Sequence, residues 1–367
     1  MEATTPSPDV ATSRWKQQLQ TRLLAWFSEH ARDLPWRRTR DLYAIWISEI
    51  MLQQTQVVTV IDYFERFLRQ FPTVRELATA NEEVVLRYWE GLGYYRRARQ
   101  LHAAAKQIVN EHQGEFPTTF AEVLALPGIG RYTAGAILSI GRDERLPILE
   151  ANTIRVLSRL LAYRDDVYST AGQKVLWQFA EEILPHEQVG FFNQSLMELG
   201  ASLCTPREPS CLLCPVANLC PTRKAGQQAS IPAPKQKTKY EELTEAVVTI
   251  RNRRGEVLVR RCQPGERWAG LWDFPRVPLT SERELSTAIE QLTGLAITLG
   301  ERFTTIKHAV TRYRITLHGY AATHRSKAAL TTTDNSRWIK ISELHELPLS
   351  VTGRKIGNLL STTAPLS

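Results

Sequence analysis

Apolar residues recur at helical spacing up to about residue 222 and at alternate positions beyond about residue 243. That shift of period, in a chain longer than one hydrophobic core usually serves, predicts two domains. In the first part Trp15, Leu19, Leu23, Trp26 and Phe27 fall on one helical face, with Ser13 as the expected cap. Trp46, Ile47, Ile50 and Met51 form a second stripe within Ile45–Gln54. Further helical segments are predicted over 60–70, 82–90, 97–112, 119–125, 133–140, 152–162, 171–184 and 191–203. Pro72, Gly91, Gly93, Gly114, Pro117, Pro127 and Pro185 punctuate the gaps. Residues 221–240 carry three prolines with several Lys and Gln, a composition that reads as an extended linker. Beyond it Val247, Val248 and Ile250, then Asn252-Arg253-Arg254-Gly255, then Val257–Val259 predict a hairpin. A helix is expected over 281–292 and an alternating strand over 312–317. The expected organisation is a frayed tail over 1–13, an all-α domain over 14–224, a linker over 225–242 and an α+β domain over 243–360.

The length of 367 residues fits two such cores, and 43% hydrophobic with 23% charged residues is ordinary globular composition. No apolar run is long enough to cross a bilayer, and the N-terminus does not read as a signal peptide. A cytoplasmic protein with no membrane partner is therefore expected. The formal net charge of +8 suits a polyanionic partner, because each basic group set on a phosphate releases a condensed counterion. Charge alone does not select that partner.

Four of the five cysteines, Cys204, Cys211, Cys214 and Cys220, are spaced C-x6-C-x2-C-x5-C in a proline-rich loop. Four thiolates so close in sequence repel one another unless a metal centre holds them. Zinc sites usually present two C-x2-C pairs, whereas this loop has one pair flanked by single cysteines, which favours a [4Fe–4S] cluster. The expected role is structural, shaping a loop with Arg207, Arg223 and Lys224 against a phosphate backbone. Cys262 reads as an ordinary core or strand cysteine.

Leu126-Pro127-Gly128-Ile129-Gly130-Arg131-Tyr132 sits between two helical segments. Gly128 and Gly130 permit a tight turn whose backbone N–H groups, at the start of the next helix, can bind a phosphate oxygen. About twenty residues on, Pro147-Ile148-Leu149-Glu150-Ala151-Asn152 places an acid ahead of a helix start. The hairpin, the acid and the cysteine loop, in that order, resemble the helix-hairpin-helix DNA glycosylase superfamily. Members similar to endonuclease III carry a nucleophilic lysine where this chain has Tyr132, and a phenol cannot form their Schiff base. The resemblance thus implies a glycosylase that does not cleave the strand.

Leu34-Pro35-Trp36-Arg37, Trp46–Val57, Gly91-Leu92-Gly93-Tyr94-Tyr95 and Phe192-Asn193-Gln194 resemble the MutY branch of that superfamily, over nearly the whole first domain. That branch removes adenine mispaired with 8-oxoguanine or guanine in double-stranded DNA, which implies base excision repair by a monomer. The resemblance implies Glu49 as the acid that protonates adenine N7 and Glu150 as the carboxylate facing the developing oxocarbenium ion. It places Tyr132 and Asn152 near the sugar, Arg32 and Glu198 around the adenine, and Gln54 and Tyr94 as wedges filling the base stack. The family's usual Leu-Asp-Gly-Asn reads Leu149-Glu150-Ala151-Asn152 here. Either a shifted loop lets Glu150 do the same work, or activity is reduced or lost.

Trp268-Ala269-Gly270-Leu271-Trp272-Asp273-Phe274-Pro275 resembles the C-terminal domain of the same family, which is similar to Nudix hydrolases. Residues 281–294 lack the glutamate cluster that holds Mg²⁺ in a pyrophosphatase. The resemblance implies that Thr311 and Arg312 read the oxidised guanine, a plain strand edge being the other reading of that stretch. Two rival functions stay open: a non-catalytic lesion-binding protein, and an endonuclease III-like glycosylase for pyrimidine lesions.

Overall fold

The computed structural model describes residues 12–234, 239–279, 281–324 and 335–362. All but the last two residues of the expected tail, and the middle of the expected linker, lie outside them. The first part is helical: α1 Ser13–His30, α2 Leu42–Leu52, α3 Val57–Gln70, α4 Val74–Thr79, α5 Glu82–Trp89, α6 Arg96–Glu111, α7 Phe120–Ala125, α8 Arg131–Arg142, α9 Ala151–Leu161, α10 Thr170–Glu182, α11 Val189–Ser202 and α12 Pro221–Lys224. The second part holds β1 Glu241–Arg251, β2 Val257–Arg261, β3 Trp272–Asp273, β4 Arg276–Pro278, α13 Glu282–Thr293, β5 Ile297–Val310, β6 Tyr313–His324, β7 Ser336–Ile339 and α14 Val351–Thr362.

The cap of α1 is Thr12, not Ser13: the Thr12 hydroxyl accepts the Trp15 N–H at 3.2 Å, and Ser13 is already helical. Trp15, Leu19, Leu23 and Phe27 are buried as the spacing predicts. Leu19 and Leu23, fully enclosed, contribute roughly 1.5–3 kcal/mol each. Helix α2 is buried without a break from Tyr43 to Met51. Its expected stripe therefore becomes a core helix enclosed on all sides. Asp41 starts it by accepting the Tyr43 and Ala44 N–H groups.

Helix α2 packs on α3 and α8, and α11 packs on α1, α8 and α9. The α9–α11 crossing is close: a Cβ on Gly200 would lie 2.7 Å from the Asn152 Cβ. Gly200→Ala is accordingly expected to cost about 1–3 kcal/mol through forced separation of the helices. A denaturant melt checks this, and an unchanged midpoint would show that the crossing tolerates a methyl group.

In the second part β1 is the central strand. It runs parallel to β6 over eleven residue pairs and antiparallel to β2 and β4. Ala246, Val248 and Ile250 on one face pack with Leu285 and Ile289 of α13. Val247 on the other face packs with Ile356 and Leu360 of α14. Burial on both faces explains why β1 is apolar through consecutive positions. The predicted β1–β2 hairpin forms as expected, with the Asn252 side chain accepting the Arg254 and Glu256 N–H groups and Gly255 at φ 77°.

The chain forms two units, one of residues up to Thr79 with 100–236, the other of 80–99 with 237 onward. The pattern reading put all of 14–224 in the first domain. Residues 80–99 join the second unit because Glu82, Glu83 and Glu90 meet Arg261, Arg337 and Arg354. Among the described residues no helix is long and apolar enough to cross a membrane.

Candidate functional site

A pocket of about 380 Å³ opens in the first unit, and Glu49, Glu150, Tyr132, Asn152, Arg32, Gln54 and Glu198 all line it. Seven side chains expected from five separate stretches of sequence thus share one cavity, large enough for a nucleobase.

Glu49 projects from α2 and is 5% exposed. Burial pushes its carboxyl up to about 7, the Tyr132 hydroxyl opposes that rise, and the nearby Glu150 reinforces it. The Tyr132 Oη donates to the Glu49 Oε2 at 2.7 Å. Tyr132 is half-buried, on the first turn of α8, and turns inward from the hairpin. A buried carboxyl near 7 with a fixed donor can hold or release a proton near neutrality.

Glu150 is the N-cap of α9. Its carboxylate accepts the N–H groups of Asn152 and Thr153, both at 2.9 Å, and the Asn152 side-chain amide at 3.4 Å. The Thr153 hydroxyl completes a capping box by accepting the Glu150 N–H at 2.7 Å. Burial raises the Glu150 carboxyl, while these donors favour its charged form. Ala151 is the first residue of α9 and has no left-handed backbone, so it needs none of the freedom a glycine gives.

Glu198, 1% exposed, is held by Arg32 Nε at 2.6 Å and by Arg37 Nη2 at 2.7 Å. Burial raises its carboxyl, but the two guanidinium groups outweigh that and hold it below its usual range. The pocket therefore has a protonatable acid on one wall and a fixed ion pair on another.

Gly128, at φ 80°, makes the turn before α8, and Gly130 is the helix N-cap. Gly130 offers no side chain to the first N–H groups of α8, and open space lies where its Cβ would be. Those donors are suited to an external oxyanion. Gln54 and Tyr94 both have left-handed backbones, at φ 56° and 47°. Such strain in non-glycine residues is typical of functional loops. Tyr94 is 48% exposed, so core packing does not explain its ring. Thr311, at φ 51°, and Arg312 form the two-residue turn between β5 and β6, a hairpin tip and not a strand edge.

The four cysteines are not disulfide-bonded and line a separate small hollow. Arg159 Nη1 lies 3.2 Å from the Cys204 Sγ, and Gln228 Nε2 lies 3.6 Å from the Cys211 Sγ. Among the described residues no three His, Cys, Asp or Glu side chains are arranged to hold a single metal ion. Trp15 Nε1 donates to the Leu219 carbonyl, tying α1 to this loop. Cys262 is buried beyond the end of β2, as expected.

Pattern reading missed two residues that hold the site. Arg37 completes the Glu198 pair, and its one signal was its place in the Leu34–Arg37 motif. Arg155 fixes the Asn152 Oδ1 at 2.8 Å and also reaches the Gly200 carbonyl at 2.8 Å. Its signal was the i, i+3 spacing to Asn152.

A family model described as "HhH-GPD superfamily base excision DNA repair protein" matches residues 47–181, and one described as "NUDIX domain" matches residues 246–358. A solved thermostable thymine-DNA glycosylase is 28% identical, with a TM-score of 0.54 over 59% of this chain and 99% of that one. An endonuclease III in a non-covalent DNA complex, 21% identical with a TM-score of 0.50 over 58% and 98%, shares the fold. The architecture is thus a helix-hairpin-helix glycosylase domain followed by an α+β Nudix-like domain. The adenine DNA glycosylases of Mus musculus and Homo sapiens are 39% and 38% identical over 74% and 73% of this chain. They are matched over 54% and 51% of their own length, so the chain spans about half the length of these relatives. The adenine DNA glycosylase of Buchnera aphidicola subsp. Schizaphis graminum is 39% identical over 69% of this chain and 73% of its own length. On that last match, which covers most of both proteins, the chain belongs to the adenine DNA glycosylase family.

Proposed function

We infer that this protein hydrolyses the N-glycosidic bond of adenine mispaired with 8-oxoguanine or guanine in double-stranded DNA, without cleaving the strand. One observation carries the reading: a buried carboxyl pushed up to about 7, hydrogen-bonded to Tyr132 and sharing its pocket with a second carboxyl. Adenine is a poor leaving group until N7 is protonated. Glu49 gives its proton to N7, the C1′–N9 bond breaks, and its electron pair stays on adenine. Positive charge then develops on the sugar, facing the Glu150 carboxylate. Water adds to C1′ and loses a proton to the Glu49 carboxylate, which restores the acid. With Tyr132 at the head of α8, no lysine stands there to open the strand by a Schiff base.

The remaining residues take supporting parts in this reading. Arg32 and Glu198 border the adenine, and Asn152, set by Arg155, borders the sugar. Gln54 and Tyr94 enter the base stack, the α8 N-terminus binds a phosphate, and the Thr311–Arg312 tip meets the oxidised guanine. Cys204, Cys211, Cys214 and Cys220 would hold a [4Fe–4S] cluster. The donor set fits: burial and the neighbouring thiols push Cys214 up to about 12, a cost that iron's charge offsets. N–H donors also reach two of the sulphurs. When bound, the cluster supplies a rigid core for the loop bearing Arg207 and Arg223.

A duplex with adenine opposite 8-oxoguanine, treated with protein and then hot alkali, is expected to break at the adenine. Without alkali the strand stays intact. Tight binding with no break under single-turnover conditions would favour the lesion-binding alternative.

A further inference from the structure

Residues 80–99 are fastened to the rest of the second unit at several points. Trp272 Nε1 donates to the Glu83 Oε1 at 2.8 Å, and Arg337 Nη2 reaches the same carboxylate at 3.2 Å. Arg87 Nε donates to the His345 carbonyl at 2.6 Å. Glu90, directly after α5, has the most enclosed side chain of the three glutamates Glu82, Glu83 and Glu90, 7% exposed. It accepts from Arg354 Nε at 2.6 Å and Nη2 at 3.0 Å, and from the Leu349 N–H at 3.4 Å. Arg354, on α14, also donates to the Leu344 and Leu347 carbonyls at 2.8 and 2.7 Å. A two-pronged, enclosed and fully engaged pair of this kind fixes geometry.

The loop that carries Tyr94 hangs from the same end of α5. Trp89 Nε1 donates to the Gly93 carbonyl at 3.2 Å, and the Leu92 N–H donates to the Trp89 carbonyl at 3.1 Å. Arg97 Nη2 donates to the carbonyls of Leu92 and Gly93 at 3.2 and 3.3 Å. These bonds tie the loop bearing Tyr94 to the end of α5 that carries Glu90.

We propose that Arg354 and Glu90 are positioning residues for Tyr94, so that the unit bearing the Thr311–Arg312 tip also carries and aims the ring that enters the base stack. This rests on the function proposed above. It implies that lesion contact and ring insertion are one mechanical event.

The test is a double-mutant cycle in the full chain, on a duplex with adenine opposite 8-oxoguanine. Arg354→Met keeps the stem and removes the guanidinium. It is expected to slow single-turnover excision about tenfold, as coupled neighbours do. Tyr94→Ala is expected to slow it at least as much, and the double variant no more than Tyr94→Ala alone. The fluorescence of a 2-aminopurine beside the lesion, which reports insertion without excision, should follow the same order. Losses that multiply, or a normal rate in Arg354→Met, would overturn the proposal. So would normal excision and fluorescence in Tyr94→Ala, with adenine removal by the unaltered protein still standing. If the unaltered protein excises nothing, the function fails, and the fluorescence cycle alone decides the positioning. Should Arg354→Met lose its cooperative melt, Glu90→Gln takes its place, since it keeps the shape and one acceptor for Arg354.

Discussion

Glu49→Gln is expected to reduce adenine excision by about 10³–10⁴-fold while leaving duplex binding within a few-fold of normal. The amide matches the carboxyl in shape and still accepts the Tyr132 hydroxyl, now 2.7 Å from the Glu49 Oε2. Packing of α2 is therefore preserved, and only the transferable proton is lost. The unaltered protein supplies a second arm through pH. In the proposed reaction the acid form of Glu49 is the active one, and burial raises its carboxyl to about 7. The rate at low substrate should be level in mildly acidic solution and fall as pH rises through about 7. Tyr132→Phe removes a donor that favours the ionised form, so the fall should move to higher pH. Single-turnover profiles of the three proteins check this. A rate that climbs through neutrality would mean that Glu49 acts only as a base, and the proton-transfer step would have to be reassigned.

Much of the fold is legible in the sequence, and the misses have distinct causes. The predicted helix over 97–112 is observed as Arg96–Glu111, because its apolar period is strong and uninterrupted. The Ser13 cap failed because two hydroxyl residues stand side by side, and only the backbone turn decides between them. The contacts that group 80–99 with the second unit are illegible in the sequence for a deeper reason. Glu90 and Arg354 lie 264 positions apart, and no local pattern says which distant cation an exposed-looking glutamate will meet. Arg37 and Arg155 were passed over on the same ground, as side chains defined by their partners. Glu49 itself looks like one acid beside an apolar stripe. Resemblance singled it out, and the enclosure of α2 then accounts for its raised carboxyl.

Glu150 is where the chain departs from its family's usual aspartate, and the cap geometry predicts what that departure does. Its carboxylate already accepts the N–H groups two and three residues on, both at 2.9 Å. A shorter acid at an N-cap makes the same two bonds. The extra methylene is thus absorbed by folding back onto α9, and the charge stays at the helix N-terminus, where the dipole favours it. Glu150→Gln should retain most of the cap through its amide oxygen and melt near the unaltered protein. Excision should nevertheless fall about 10²–10³-fold, as when one preorganised electrostatic group is removed. Glu150→Asp should keep both cap and charge and excise within about tenfold of the unaltered rate, in either direction, since the carbon chain shortens by only about 1.5 Å. Single-turnover assays on the same duplex separate the cases. Equal rates in Glu150→Gln and the unaltered protein would mean that the charge at 150 serves only the helix. Excision confined to Glu150→Asp would mean that the folded-back glutamate has left the protein binding the mispair without cutting out its adenine.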